Sequence, residues 1–238
     1  MEPPEHLVVK LGDDRLAAEV RSVVRRFPVE GDVVTALDHV DLEVRYGCMT
    51  VVAGPSGSGK STLLSLLACT QRPDEGSVKI GDTEVLAVGR RGRRELRRDR
   101  LGIVLPQPSE NLLDQHDAAG NVRWAARQRA GAPTAAIVDV DQLLDSVGLT
   151  AASHRRVREL SGGEQQRLAV ACALAGDPEL VILDEPTASL DRVSAISLVE
   201  VLAGVASAGS TLVIATHDAL VIEAASAIAE LDHGRRIR

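Results

Sequence analysis

The sequence predicts an α/β fold, a mostly parallel sheet covered by helices, with an N-terminal antiparallel β subdomain and an inserted helical subdomain. Three observations predict the helix-covered parallel sheet. Short apolar, β-branched runs alternate with helical patterns through much of the chain. One of those runs, Met49-Thr50-Val51-Val52-Ala53, feeds a glycine loop that opens into the helical pattern Leu63-Leu64-Ser65-Leu66-Leu67-Ala68. Aromatics are nearly absent (Phe27, Tyr46 and Trp124 are the whole set), so the core is Leu, Val, Ile and Ala, which suits a sheet buried on both faces.

Taken in order, residues 1–18 show weak periodicity and are expected to form an arm, with residues 19–238 as one domain. Alternation at Val20, Ser22 and Val24 predicts a strand over 18–27. Val33-Val34 and Val40-Asp41-Leu42-Glu43-Val44 predict two further short strands. After the loop and its helix, Arg72-Pro73-Asp74-Glu75-Gly76 is a turn and 77–81 a strand. Residues 89–100 hold seven arginines. Without aromatic partners, and in a chain of net charge −7, they fit a solvated helix face better than a nucleic-acid patch. Residues 101–105 form a strand. Residues 108–160 change to Ala-, Arg- and Leu-rich helical patterns broken at Gly131-Ala132-Pro133; with the adjoining helix, the helical subdomain is expected over about 108–175. A helix over 163–175, the apolar strand Leu180-Val181-Ile182-Leu183, a helix over 192–207, a strand over 211–215 and a helix over 219–227 come next. A last strand and turn close the chain near 228–237.

Composition excludes several classes. The three cysteines, Cys48, Cys69 and Cys172, are too far apart for a metal spacing and are expected as small apolar residues in a reducing compartment. The first fourteen residues are acidic and carry prolines, unlike a signal peptide. The longest uncharged run, 201–216, is interrupted by Gly204, Gly209 and Ser210 and is shorter than the ~18–20 apolar residues of a membrane span. A soluble chain in the cytoplasm is expected.

The chemistry starts at Gly54-Pro55-Ser56-Gly57-Ser58-Gly59-Lys60-Ser61-Thr62, which fits the phosphate-loop pattern G-x-x-x-x-G-K-[ST]. Backbone N–H groups and a helix N-terminus there converge on a polyphosphate. Lys60 is expected on the β- and γ-phosphates and Ser61 on Mg²⁺. Asp184 and Glu185 end the apolar strand and precede Pro186. Asp184 is the metal-side candidate, and Glu185 the base for an attacking water. In Leu160-Ser161-Gly162-Gly163-Glu164-Gln165-Gln166-Arg167, Ser161 can cap a helix and the two glycines permit close approach to an anion.

In that order these motifs resemble the ATP-binding-cassette (ABC) ATPases over about residues 20–236, a P-loop NTPase family. The family's loop after the acidic strand matches Ala188-Ser189-Leu190-Asp191, its switch histidine His217 in Ala215-Thr216-His217-Asp218, and its adenine-stacking aromatic Phe27. The resemblance implies ATP and Mg²⁺ as cofactors and ATP hydrolysis as the reaction. It implies a homodimer or heterodimer of cassettes sharing two ATP molecules, and an integral membrane permease as partner, with no nucleic acid. The chain would then sit peripherally on the inner face of the cell membrane. Ser161 and Gly163, with Gly162 between them, would meet the γ-phosphate in trans. Asp191 would communicate across the dimer, and His217 would contact the γ-phosphate and support the attacking water.

The family's glutamine loop, which adds a metal-side glutamine, departs in this chain: Leu105 is followed by Pro106 and then Gln107. Either Gln107 serves with a local shift or Pro106 occupies the aligned position; Gln107 is favoured. Cys172 stands where relatives usually carry arginine, a change expected to alter packing more than chemistry. The branch most resembled is that of lipoprotein-release, macrolide-efflux and cell-division cassettes. A soluble or regulatory cassette ATPase without substrate translocation is the alternative reading.

Overall fold

In a computed structural model the described residues are 15–29, 32–129 and 139–237. The expected arm, apart from its last residues, and the break at Gly131-Ala132-Pro133 lie outside them. Strand β1 (Leu16–Val29) pairs antiparallel with β2 (Asp32–Arg45). The two short strands expected near Val33 and Val40 are therefore one long strand. Between them the alternation is lost because the register slips at Val23/Arg25 and Arg25/Arg26 and His39 adopts a left-handed backbone, yet the pairing continues through Arg25↔Leu37 and Phe27↔Val34.

The fully buried β3 (Met49–Ala53) leads through the glycine loop into α1 (Lys60–Leu67). Strands β4 (Glu75–Ile80) and β5 (Thr83–Glu84) complete a four-stranded antiparallel sheet in the order β2-β1-β4-β5. The arginine-rich run is helix α2 (Arg90–Arg100), with Leu96 its one buried residue. Three of its arginines turn to backbone carbonyls: Arg93 to Val88, Arg97 to Cys69 and Arg100 to Ile80. The rest of that face is solvated, as expected.

Then come β6 (Leu101–Val104), α3 (Ala118–Gln128), α4 (Val140–Ser146), α5 (Gly162–Leu174), β7 (Leu180–Asp184), α6 (Arg192–Ser207), β8 (Leu212–Thr216), α7 (Ala219–Glu223), β9 (Ala227–Asp232) and β10 (Arg235–Arg236). Helix α7 stops four residues before the expected end. Ser226 N–H donates to the Met49 carbonyl and Ala227 pairs with Thr50, so the edge of β3 recruits this segment as strand.

The second sheet runs β10-β9-β3-β8-β7-β6, all neighbours parallel except β10 against β9. One core lies between this sheet and helices α3 to α6, around Leu144, Leu149, Leu168, Leu183 and Leu198. The other joins its opposite face and α1 to the antiparallel sheet, around Leu37, Leu63, Leu66, Ile80 and Leu180. The three cysteines are free, and burial pushes Cys69 up to about 11 and Cys172 up to about 12. Strands β3, β8 and β7 are adjacent and parallel, so the segments leaving their C-terminal ends are gathered at one edge, where open α/β sheets place their ligands. Those segments carry the glycine loop, His217 and Glu185.

Candidate functional site

The glycine loop is shaped by what presses on it. At Gly59 the backbone is left-handed (φ 101°), and a Cβ would lie 2.4 Å from the Ala36 carbonyl oxygen of β2, so no other residue fits between loop and sheet. Gly59 is also the N-cap of α1, with no side-chain cap and no acidic residue in the first turn. The first N–H groups of α1 are thus left for a ligand anion. The Ser58 hydroxyl is buried without a partner in this loop. Lys60, only 6 % exposed, folds its ammonium back onto the carbonyls of Gly54 (2.8 Å) and Pro55 (2.9 Å), 3.6 Å from Glu185 Oε1. A buried cation, free N–H groups and an orphan hydroxyl on one loop fit a polyphosphate.

The Ser61 hydroxyl donates to Asp184 Oδ1 at 3.2 Å. Burial, the largest influence, pushes the Asp184 carboxyl up, opposed by the Ser61 hydrogen bond. No three His, Cys, Asp or Glu side chains cluster as a metal cage among the described residues. One hydroxyl and one carboxylate are oxygen donors of the kind that could hold a Mg²⁺ with help from phosphate and water.

Glu185 stands in a left-handed backbone (φ 44°), an uncommon state for a non-glycine residue. Its N–H donates to the Ala215 carbonyl, extending the β7–β8 ladder by one residue. Its carboxylate is held from two sides. Thr216 Oγ1 donates to Oε2 at 3.1 Å, and His217 Nδ1 lies 3.0 Å from Oε1. Thr216 in turn accepts the Asp218 N–H at 3.0 Å. The motifs mark His217 but not Thr216, whose one signal in the sequence is a polar residue closing an otherwise apolar strand. Lys60, Ser61, Asp184, Glu185 and His217 are thus brought together, with Thr216 as their unforeseen support.

Other expected residues lie outside this cluster. Ser161 caps α5, accepting the Glu164 N–H while Glu164 Oε2 accepts the Ser161 N–H at 2.7 Å. Asp191 caps α6 through Val193 and Ser194, which holds its carboxyl below the usual range. Among the described residues, no hydrogen bond joins Ser161, Gly162, Gly163 or Asp191 to loop 54–62. Gln107 is exposed, and its side chain bonds to neither Ser61 nor Asp184. No motif marks Asn111, whose amide pins this loop through Leu105 N–H, Leu105 O and Gln107 O. The Phe27 ring carries the Arg25 guanidinium 4.6 Å from its centroid.

Comparisons with known proteins place the chain in a family. Residues 37–188 match the family described as ABC transporter. The chain is 34% identical over 218 residues to the macrolide export ATP-binding/permease protein MacB of Bartonella henselae, and 36% over 216 residues to MacB 1/2 of Paracoccus denitrificans. These alignments cover 92% and 91% of the chain but 33% and 32% of the relatives, so the chain spans about a third of their length. Among solved structures, the ATP-binding cassette MJ0796, dimeric in a post-hydrolysis state with ADP and Pi, superposes with a TM-score of 0.77 at 28% identity, covering 93% of this chain and 97% of that one. CbiO1 of Clostridium perfringens, part of the ABC transporter complex cbiONQ, gives a TM-score of 0.78 at 25% identity, covering 94% and 88%. The chain belongs to the ABC transporter family, as an ATP-binding cassette.

Proposed function

We propose that this cassette hydrolyses ATP as one of a pair of subunits, and that closure and release of the pair drive a membrane permease partner. The observation that carries hydrolysis is the grouping of Lys60, Asp184, Glu185, Thr216 and His217 at the C-terminal ends of three adjacent strands. In this reading loop 54–62 holds the phosphates, with Lys60 on the β- and γ-phosphates. Ser61 and Asp184, with Gln107 through its loop, hold Mg²⁺, which supplies charge neutralisation at the transferring phosphoryl group. Glu185 orients and accepts a proton from the attacking water. His217 contacts the γ-phosphate, and Phe27 stacks on adenine with the ring face opposite Arg25.

The second subunit supplies Ser161, Gly162 and Gly163, and Asp191 signals between the two. That no hydrogen bond joins them to loop 54–62 among the described residues supports this, as does the dimeric state of the MJ0796 neighbour. The relatives combine ATP-binding and permease parts in a chain about three times as long. Among the described residues no helix is long and apolar enough to cross a membrane. A membrane permease as partner, and a peripheral place at the inner face of the cell membrane, are proposed from the family and from the names of these relatives. Residues 108–175 are proposed as a helical subdomain within a single domain over 19–238, and the glutamine loop around Gln107 as the segment that meets the permease.

Steady-state phosphate release tests the reaction. Glu185→Gln should cut turnover by about 10²–10⁴-fold while leaving ATP binding intact. Turnover unchanged by that substitution would show that Glu185 is not the group that activates the water.

A further inference from the structure

Helices α5 and α6 begin side by side, and their first turns meet at one pair. A Cβ on Gly163 would lie 2.7 Å from both Cβ and Oγ of Ser194, a distance real Cβ atoms do not tolerate. A Cβ on the preceding Gly162 would meet nothing within 4 Å. The glycine at 163 is thus demanded by Ser194 of the same chain, while at 162 the chain's own packing demands nothing. The same serine reaches the other way. Its hydroxyl donates to Asp191 Oδ2 at 2.7 Å, and its N–H donates to Asp191 Oδ1 at 3.0 Å. One side chain therefore touches the backbone of the Ser161–Gly163 stretch and holds the second oxygen of Asp191.

We propose that Ser194 is a positioning residue that joins these two segments into one rigid surface offered to the second subunit. This rests on the two-chain reading above. Without the hydroxyl, Asp191 keeps its capping contacts through Oδ1 but loses the bond that holds Oδ2 and so fixes the plane of its carboxylate. Further along the helix pair, Arg167 Nη1 donates to Ser197 Oγ at 3.3 Å. The pair therefore stays together when only its tips are loosened, and Ser194→Ala should fold.

The test compares three chains. In the Glu185→Gln background, size exclusion with ATP should show a dimer. Adding Ser194→Ala should weaken that dimer by about tenfold, while binding of a fluorescent ATP analogue to the monomer stays unchanged. With Glu185 intact, Ser194→Ala should lower kcat by about tenfold with KM for ATP nearly constant. Ser194→Thr, which keeps the hydroxyl, should restore both. If Ser194→Ala lowers only the melting temperature, and dimer and kcat are unaffected, Ser194 is a structural cap and the proposal falls alone. If Glu185→Gln remains monomeric with ATP bound, the two-chain reading falls and takes the proposal with it.

Discussion

Thr216 is fully buried, and its hydroxyl is used twice, accepting the Asp218 N–H and donating to Glu185 Oε2. Valine has nearly its shape and neither bond. Thr216→Val should lower kcat by about 10–100-fold and leave KM for ATP within about twofold, because the loss is in orienting Glu185 rather than in holding ATP. Steady-state kinetics would check this, and a raised KM with unchanged kcat would contradict it. Asp184 carries a prediction for stability. Its carboxyl is pushed up by burial, so the folded chain binds that proton more tightly than the unfolded chain does. Its contribution is most favourable below the ordinary value of 3.8 and falls as pH rises through the raised one. At neutral pH the bare carboxylate costs stability. Asp184→Asn should therefore melt at a higher temperature than the parent without nucleotide, and lose the additional stabilisation that Mg²⁺ gives with ATP. Thermal melts with and without both ligands would show it; a lower melting temperature in the bare variant would refute the sign. Lys60, Ser61, Asp184, Glu185 and His217 were readable because each sits in a contiguous motif. Thr216 and Ser194 were not, because their roles exist only once separate segments are folded together.

At the scale of elements, the strands and helices with uninterrupted periodicity were readable almost to the residue, as α6 (Arg192–Ser207) and β3 (Met49–Ala53) show. Where pairing geometry overrides local pattern they were not. β2 absorbs its polar middle through register slips, and α7 yields its end to the sheet. A subtler case is the end of α3, where Arg129 is the helix's C-cap and looks like one more surface arginine. Instead its guanidinium is buried enough to be held below the ordinary arginine range, and it donates to the carbonyls of Leu101, Ala173 and Ala175. It ties the start of β6 to the end of α5, joining three elements far apart in sequence. Arg129→Met would keep the apolar stem and strand those carbonyls. The expected loss is about 2–3 kcal/mol, roughly 4–12 °C in melting temperature. Calorimetry would measure it, and a melting temperature within a degree of the parent would show the carbonyls to be satisfied otherwise.

For the whole molecule, the phosphate loop is a joint between two sheets rather than a feature of one. It leaves the parallel sheet at β3 and rests against β2 of the antiparallel sheet at Gly59. The C-terminal hairpin closes the third side. The Gly234 N–H donates to the Ser58 carbonyl at 3.1 Å, and the Asp38 N–H donates to the Gly234 carbonyl at 2.8 Å. Arg235 pairs with Asp38 Oδ2 at 2.6 Å, and Arg236 donates to the Asp41 carbonyl at 3.2 Å. The last residues of the chain thus clamp the loop to β2 from outside the sequence motif that identifies it. A chain ending at Asp232 would retain β9 and both hydrophobic cores but lose every one of these bonds. It should fold and bind ATP about tenfold more weakly, about 1.4 kcal/mol, because loop 54–62 must then be ordered at the moment of binding. Turnover at saturating ATP should be nearly preserved, since Glu185, Thr216 and His217 are anchored on β7 and β8. Titration of a fluorescent ATP analogue, beside steady-state kinetics, separates the two effects. An unchanged dissociation constant would mean that loop 54–62 holds its shape without the hairpin, and that the joint rests on the two sheets alone.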